Sequence, residues 1–265
     1  MPGIRASYAG EIIDWFVQLG HERGFGLLIE GSSPEGELDL ISRARAHLID
    51  GLVLNPVRLD EAAVTRLDLH QAPPLVVMGE VAPEGVDRVH VDSVAAAAEM
   101  TRHLISRGYR KIGIVGSPTS SPTATSQLRM RGVESALEEF GLALDPGHLV
   151  ATDDWDAQVA RDGVIKMLAG SEPPDALFCF TDTMAFGAYR ALYEVGLRVP
   201  EDIAVAGFDD IDDARLFTPA LTTVTFDRRE FVEAALDLLI RRIDNPRAAP
   251  DTAVVPHRLA IREST

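Results

Sequence analysis

The chain has 265 residues, 46% of them hydrophobic, enough for one large or two medium domains with packed cores. Its 41 acidic residues against 25 basic ones give a net charge of −16, so the surface as a whole repels phosphate backbones and makes a poor nucleic-acid binder. A single cysteine, Cys179 in the apolar run ALFCF, excludes an intramolecular disulfide framework and reads as a small core residue, and no apolar run approaches membrane-spanning length.

The N-terminus, MPGIRASYAGEIIDWF, lacks the succession of basic segment, apolar run and small-residue cleavage site that marks a secretory signal, so a reduced, cytoplasmic protein is expected. The first predicted element is an amphipathic helix near Tyr8–Arg23, carrying Ile12, Ile13, Trp15 and Phe16. No strand precedes it, although a doubly wound lobe would place its first central strand there, and the sequence reads as a fragment of a longer chain. Strands are then predicted at Gly26–Glu30, Gly51–Asn55, Pro74–Gly79 and Arg88–Asp92, with helices near Glu35–His47 and Glu61–Leu69. A helix over Ser93–Arg107 carries Ala96, Met100, Leu104 and Ile105 at near-helical spacing and stops at Gly108.

The pattern then restarts. Strands at Lys111–Gly116, Leu149–Thr152, Ala176–Phe180 and Ile203–Gly207 alternate with helices at Thr125–Phe140, Ala157–Leu168 and Asp182–Val195. Repeated β-α-β order implies an α/β protein of two doubly wound, parallel-sheet lobes. The helix Arg228–Arg242 and the last strands, Ala253–Val255 and His257–Ile261, have no partner series and are expected to return to the lobes already built. The expected division is residues 1–109 plus 226–249 for the N-terminal lobe and 110–225 plus 250–265 for the C-terminal lobe, joined by several crossings that form a hinge with the ligand between the lobes.

The stretch VPEDIAVAGFDDIDDARLFTPALTTVTFD, residues 199–227, carries the strongest functional signal. A buried strand delivers Phe208, Asp209 and Asp210 into a loop, and open α/β sheets bind ligands at the carboxyl ends of their strands. No catalytic signature accompanies it: there is no G-x-S-x-G elbow, no H-E-x-x-H pair and no G-x-x-x-x-G-K-[ST] loop. The seven histidines are scattered without an i,i+4 pair, and Asp153, Asp154 and Asp156 lack the glycine and closing glutamate of a calcium loop, so neither a metal nor a cofactor is expected.

The words HLISRGYRKIGIVG, FTDTMAFGAYRAL, VPEDIAVAGFDDI with TPALTTV, and the closing HRLAIREST, in this order, resemble the lactose-repressor (LacI-type) family of bacterial transcription regulators along essentially the whole chain. The resemblance implies a two-lobed, periplasmic-binding-protein-like effector core that dimerises, here without the helix-turn-helix headpiece and hinge helix. It also assigns positions. Asp209 matches an aspartate that accepts hydrogen bonds from ligand hydroxyls, while Asp210 is read as a turn cap or solvated group. Arg129 matches a ligand-binding arginine, whose planar fork suits adjacent hydroxyls or a carboxylate. Trp155 matches a ring that walls the cleft in sugar-responsive members. Asp92 matches a cleft position, with helix N-capping by Asp92 or Ser93 as the competing role. Tyr8 matches a cleft-lining aromatic, with surface packing as its alternative. Where the family commonly has Asn-Asp, this chain has Thr181-Asp182, so Thr181 brings a hydroxyl in place of a carboxamide and Asp182 is read as a helix cap.

The function implied is ligand sensing, not catalysis: a small sugar-like effector bound between the lobes of a homodimer controls operator DNA binding by a headpiece outside this sequence, in the cytoplasm and without a membrane. A periplasmic sugar-binding protein of an uptake system shares the architecture and is the alternative.

Overall fold

The structure is a computed structural model, and it describes residues 7–31, 49–56, 73–82, 84–120, 122–152, 155–170 and 172–265. The helices expected at Glu35–His47 and Glu61–Leu69 lie outside the described residues. The chain separates into two units, Met1–Asp92 with Asp227–Pro256, and Ser93–Phe226 with His257–Thr265.

In the first unit, helix α1 (Ser7–Glu22) buries Ala9, Ile12, Phe16 and Leu19, the one-sided stripe that its 3.6-residue spacing dictates. Strands β1 (Leu52–Leu54), β2 (Leu75–Met78), β3 (Asp87–Val91) and β9 (Thr252–Val255) form a sheet in the order β1-β2-β3-β9, all parallel. Helix α6 (Arg228–Asp244) starts where the Asp227 carboxylate accepts the Glu230 amide at 3.0 Å, and it buries Phe231, Val232, Ala235 and Leu239. The fully buried Asp87 fixes β3 to this helix. Its carboxylate accepts Arg241 Nη2 at 2.9 Å, Arg242 Nε at 2.7 Å and the Asp251 amide at 2.8 Å.

The segment Gly26–Glu30, expected as a strand, has no regular structure. Its apolar side chains Leu27, Leu28 and Ile29 are exposed, and apolar composition alone does not make a strand.

The second unit is built on six strands in the order β10-β8-β7-β6-β4-β5. These are β4 (Ile112–Ser117), β5 (Leu149–Ala151), β6 (Ala176–Cys179), β7 (Ala204–Phe208), β8 (Thr222–Phe226) and β10 (His257–Ala260). All pairings are parallel except β10 with β8, which is antiparallel at the sheet edge. Strands β4, β6 and β7 are buried throughout, as continuous apolar runs in a parallel sheet covered on both faces must be.

Helices α2 (Ser93–Ser106) and α3 (Ala124–Glu139) pack on each other, and α4 (Ala157–Leu168) packs on α5 (Asp182–Glu194). Gly132 sets the first of these approaches: a Cβ there would overlap the Val94 carbonyl oxygen. The core joins Met100 and Leu104 of α2 to Ile114, Phe178, Phe180, Phe208 and Val224 of the sheet.

These boundaries differ from the expected ones. The helix at Ser93–Ser106 belongs to the second unit, because its apolar stripe fills that unit's core, and the division falls at Asp92 instead of near Gly108–Arg110. Strand β9 belongs to the first unit, because its ladder is made with β3.

Candidate functional site

The strand order of the second unit reverses between β4 and β6: the chain leaves β4 for β5 on one side and returns for β6 on the other. Ligands of open α/β sheets bind beyond the carboxyl ends of the strands at such a switch point. The residues that converge there are Arg129, Trp155, Phe180, Phe208 and Asp209.

Arg129 is placed by α3, whose N-cap Thr123 accepts the Ser126 amide at 3.1 Å. The arginine is buried, its Nη1 donates to the Phe180 carbonyl oxygen at the end of β6, and its Nη2 lies 3.8 Å from Asp209 Oδ1. The guanidinium carbon stands 3.4 Å from the centroid of the Phe208 ring and 5.4 Å from that of Trp155. A weakly hydrated planar cation suits this setting of ring faces and a carboxylate. Trp155 is half-buried immediately before α4, where Asp156 caps the helix by accepting the amides of Gln158 at 2.7 Å and Val159 at 3.1 Å. Asp156 is thus a helix cap; Asp153 and Asp154 lie outside the described residues. Among the described residues no cluster of His, Cys, Asp and Glu could hold a metal ion.

Asp209 and Asp210 leave β7 with φ of 114° and 53°, backbone that non-glycine residues rarely adopt and that costs on the order of 1–3 kcal/mol each. The surroundings hold it. The Asp209 amide donates to the Val224 carbonyl at 2.9 Å, and Arg262 Nη2 donates to Asp210 Oδ1 at 2.6 Å. Asp210, expected as a turn cap or solvated group, is instead buried and paired, because the chain end folds Arg262 back onto it.

The Thr181-Asp182 pair is also rearranged. Thr181 caps α5, its hydroxyl accepting the Met184 amide at 3.1 Å. Asp182 is fully buried: its carboxyl accepts the Thr223 hydroxyl at 2.6 Å and the Ile211 amide at 3.0 Å. Burial first, and then the nearby charge of Asp209, push its pKa well above the ordinary carboxylate range. The Cys179 thiol is likewise pushed up by burial, so it is inert core.

The expected residues therefore divide. Arg129, Asp209, Trp155 and Thr181 lie in the second unit, with Arg129 in contact with Asp209 and Trp155. Tyr8, within the first turn of α1 and half-buried, and Asp92, exposed directly after β3, lie in the first unit. Arg262 was not singled out from sequence, although it stands in the closing HRLAIREST; Phe208 was named only at the strand end of GFDD, and Asp182 only as a helix cap.

A family model described as a periplasmic binding protein-like domain matches residues 101–265. The HTH-type transcriptional repressor PurR of Escherichia fergusonii is 33% identical over 263 residues, covering 98% of this chain and 76% of that protein. A solved transcriptional regulator of the LacI family from Sanguibacter keddieii superposes with a TM-score of 0.87 at 32% identity, covering 99% of this chain and 95% of that one. The chain belongs to the LacI family of transcriptional regulators. A LacI family regulator from Enterococcus faecium, solved with bound ribose, matches with a TM-score of 0.84 at 25% identity over 100% of this chain and 96% of that one. These LacI family relatives are transcriptional regulators, not enzymes, and they bear out the fold expected from the sequence. Among the described residues no helix is long and apolar enough to cross a membrane.

Proposed function

We propose that this chain is the effector-binding core of its regulator and that it takes a small uncharged polyol, a sugar or close relative, at the carboxyl ends of β4, β6 and β7. The observation that carries the reading is the buried Arg129–Asp209 pair set against the Phe208 and Trp155 rings at the sheet's switch point. An aspartate accepts from two hydroxyls, an arginine donates to ring or hydroxyl oxygens, and a tryptophan face covers the apolar side of a sugar. Thr181 adds a hydroxyl in place of the longer carboxamide, which changes which hydroxyl of the ligand is read. Asp92 and Tyr8 enter the proposal as ligand contacts offered by the first unit. The ribose-bound relative supports a sugar as the ligand class.

The regulator is proposed to act as a cytoplasmic homodimer, with operator DNA held by a headpiece outside this sequence, since the surface charge of −16 opposes DNA binding by the core itself. Effector acts by its differential affinity for two states of the regulator, and it shifts their populations by no more than that difference. The test is calorimetric titration with ribose, hexoses and disaccharides. The reading expects at least one saturable sugar whose binding weakens at least about a hundredfold in Asp209→Ala, the loss of a charge-assisted hydrogen-bond acceptor. A sugar bound equally well by wild type, Asp209→Ala and Arg129→Ala removes the site assignment.

A further inference from the structure

Asp182 is fully buried beneath the candidate site and has no role in the reading above. Its position is built by the surrounding sequence. Gly207 on β7 is required, because a Cβ there would overlap Asp182 Oδ1. The carboxyl group links three pieces of chain: its own helix α5, the Ile211 amide beyond the Asp209–Asp210 turn, and Thr223 on β8. The positive-φ dipeptide is thus held at one end by the Asp209 amide on Val224 and at the other by Asp182.

Among the described residues no cation forms an ion pair with Asp182. The groups that face it are the Asp209 and Asp210 carboxylates beyond β7, the Cys179 thiol on β6 and the Tyr189 phenol on α5. The neighbouring cations are turned to other acids: Arg129 to Asp209 at 3.8 Å, and Arg262 and Arg215 to Asp210 at 2.6 and 3.9 Å. A lone carboxylate in such a setting is costly, whereas the neutral acid satisfies every bond present. In the neutral acid the bond to Thr223 runs the other way: the O–H donates to Thr223 Oγ1, whose own proton turns to the Val224 carbonyl at 3.4 Å, while the second oxygen still accepts the Ile211 amide.

We propose that Asp182 is a positioning residue that clamps the 209–211 turn to β8 as a neutral carboxylic acid and thereby aims Asp209 into the site. With Asp182 uncharged, Asp209 is paired with Arg129, and Asp210 with Arg262 and the exposed Arg215, so each charged acid at the floor of the site has a cation beside it, which suits an uncharged ligand; this last consequence rests on the function proposed above. The burial and the like charge of Asp209 that raise the pKa of Asp182 act in the same direction.

The test requires no ligand, so its failure is distinct from a failure of the effector reading. The carboxyl carbon of Asp182, assigned through the backbone of aspartate-labelled protein, is followed by NMR against pH. It is expected to stay at the protonated position after exposed aspartates have titrated near their ordinary value of about 3.9. Titration of Asp182 with the exposed group overturns the proposal. Asn at this position is uncharged and keeps one acceptor oxygen, with an NH2 in place of the O–H donor. Because the native state holds its proton more tightly than the unfolded chain does, wild-type stability relative to Asp182→Asn falls as pH rises from about 4 through the native value. A difference that is flat, or that grows with pH, contradicts it. The clamp itself is read by amide exchange at Asp209 and Ile211: at least about tenfold faster in Asp182→Ala and restored in Asp182→Asn, whereas equal protection in all three proteins contradicts the positioning role.

Discussion

The guanidinium carbon of Arg129 lies 3.4 Å from the centre of the Phe208 ring, which joins helix α3 to the end of β7. Neither residue alone would make a site. Together they place a desolvated cation beside a carboxylate, with Trp155 at its flank. A lysine cannot reproduce this, because its charge is a compact, strongly hydrated point without a stacking plane. Arg129→Lys is expected to lower stability by about 1–2 kcal/mol, measured by urea unfolding, through loss of the ring contacts.

The second prediction concerns the first unit. Asp87 is fully buried and accepts from Arg241, Arg242 and the Asp251 amide. Asp87→Ala removes the acceptor for all of them. The expected loss is about 2–4 kcal/mol in urea unfolding, below the most severe buried-pair values because the Arg241 side chain is 40% exposed and can be rehydrated.

Gly132 is the point of closest approach between α3 and α2. Gly132→Ala meets the Val94 carbonyl and the Ala97 and Ala98 positions of a rigid neighbour helix, so the helices must separate. The expected cost is about 2–3 kcal/mol, read as a lower urea midpoint, although alanine is the better helix former.

Cys179 is fully buried in β6, and burial raises its thiol pKa far from the reactive range. A chromogenic thiol reagent at neutral pH is expected to leave it unlabelled in native protein and to titrate one thiol per chain after denaturation, since the sequence holds one cysteine.

The residues proposed for the site were named from the sequence: the strand ending in Asp209 from an apolar run with paired acids, and Arg129 and Trp155 from positions that match the LacI family. What escaped has physical reasons. A helix-start acid such as Asp182 fits a cap as well as a buried clamp, and only the tertiary position of Thr223 and Ile211 decides between them. The ring contact of Phe208 with Arg129 escaped, because one strand says nothing about a cation delivered by α3. Gly26–Glu30 has apolar composition, yet composition alone does not make a strand. The apolar stripe of Ser93–Ser106 marks a buried face without saying which sheet it covers, which is why the division between units fell elsewhere.

The central claim is that a sugar-like effector binds against Trp155 and Asp209. The chain has two tryptophans, and Trp15 lies in α1 of the first unit, so Trp15→Phe leaves Trp155 as the only indole reporter. Fluorescence titration of this variant with ribose and the wider sugar panel tests the claim most directly. The account predicts a saturable change in Trp155 emission with at least one sugar, abolished when Asp209→Ala is added. A sugar that saturates by calorimetry without changing Trp155 emission, or a fluorescence change that survives Asp209→Ala, would contradict it.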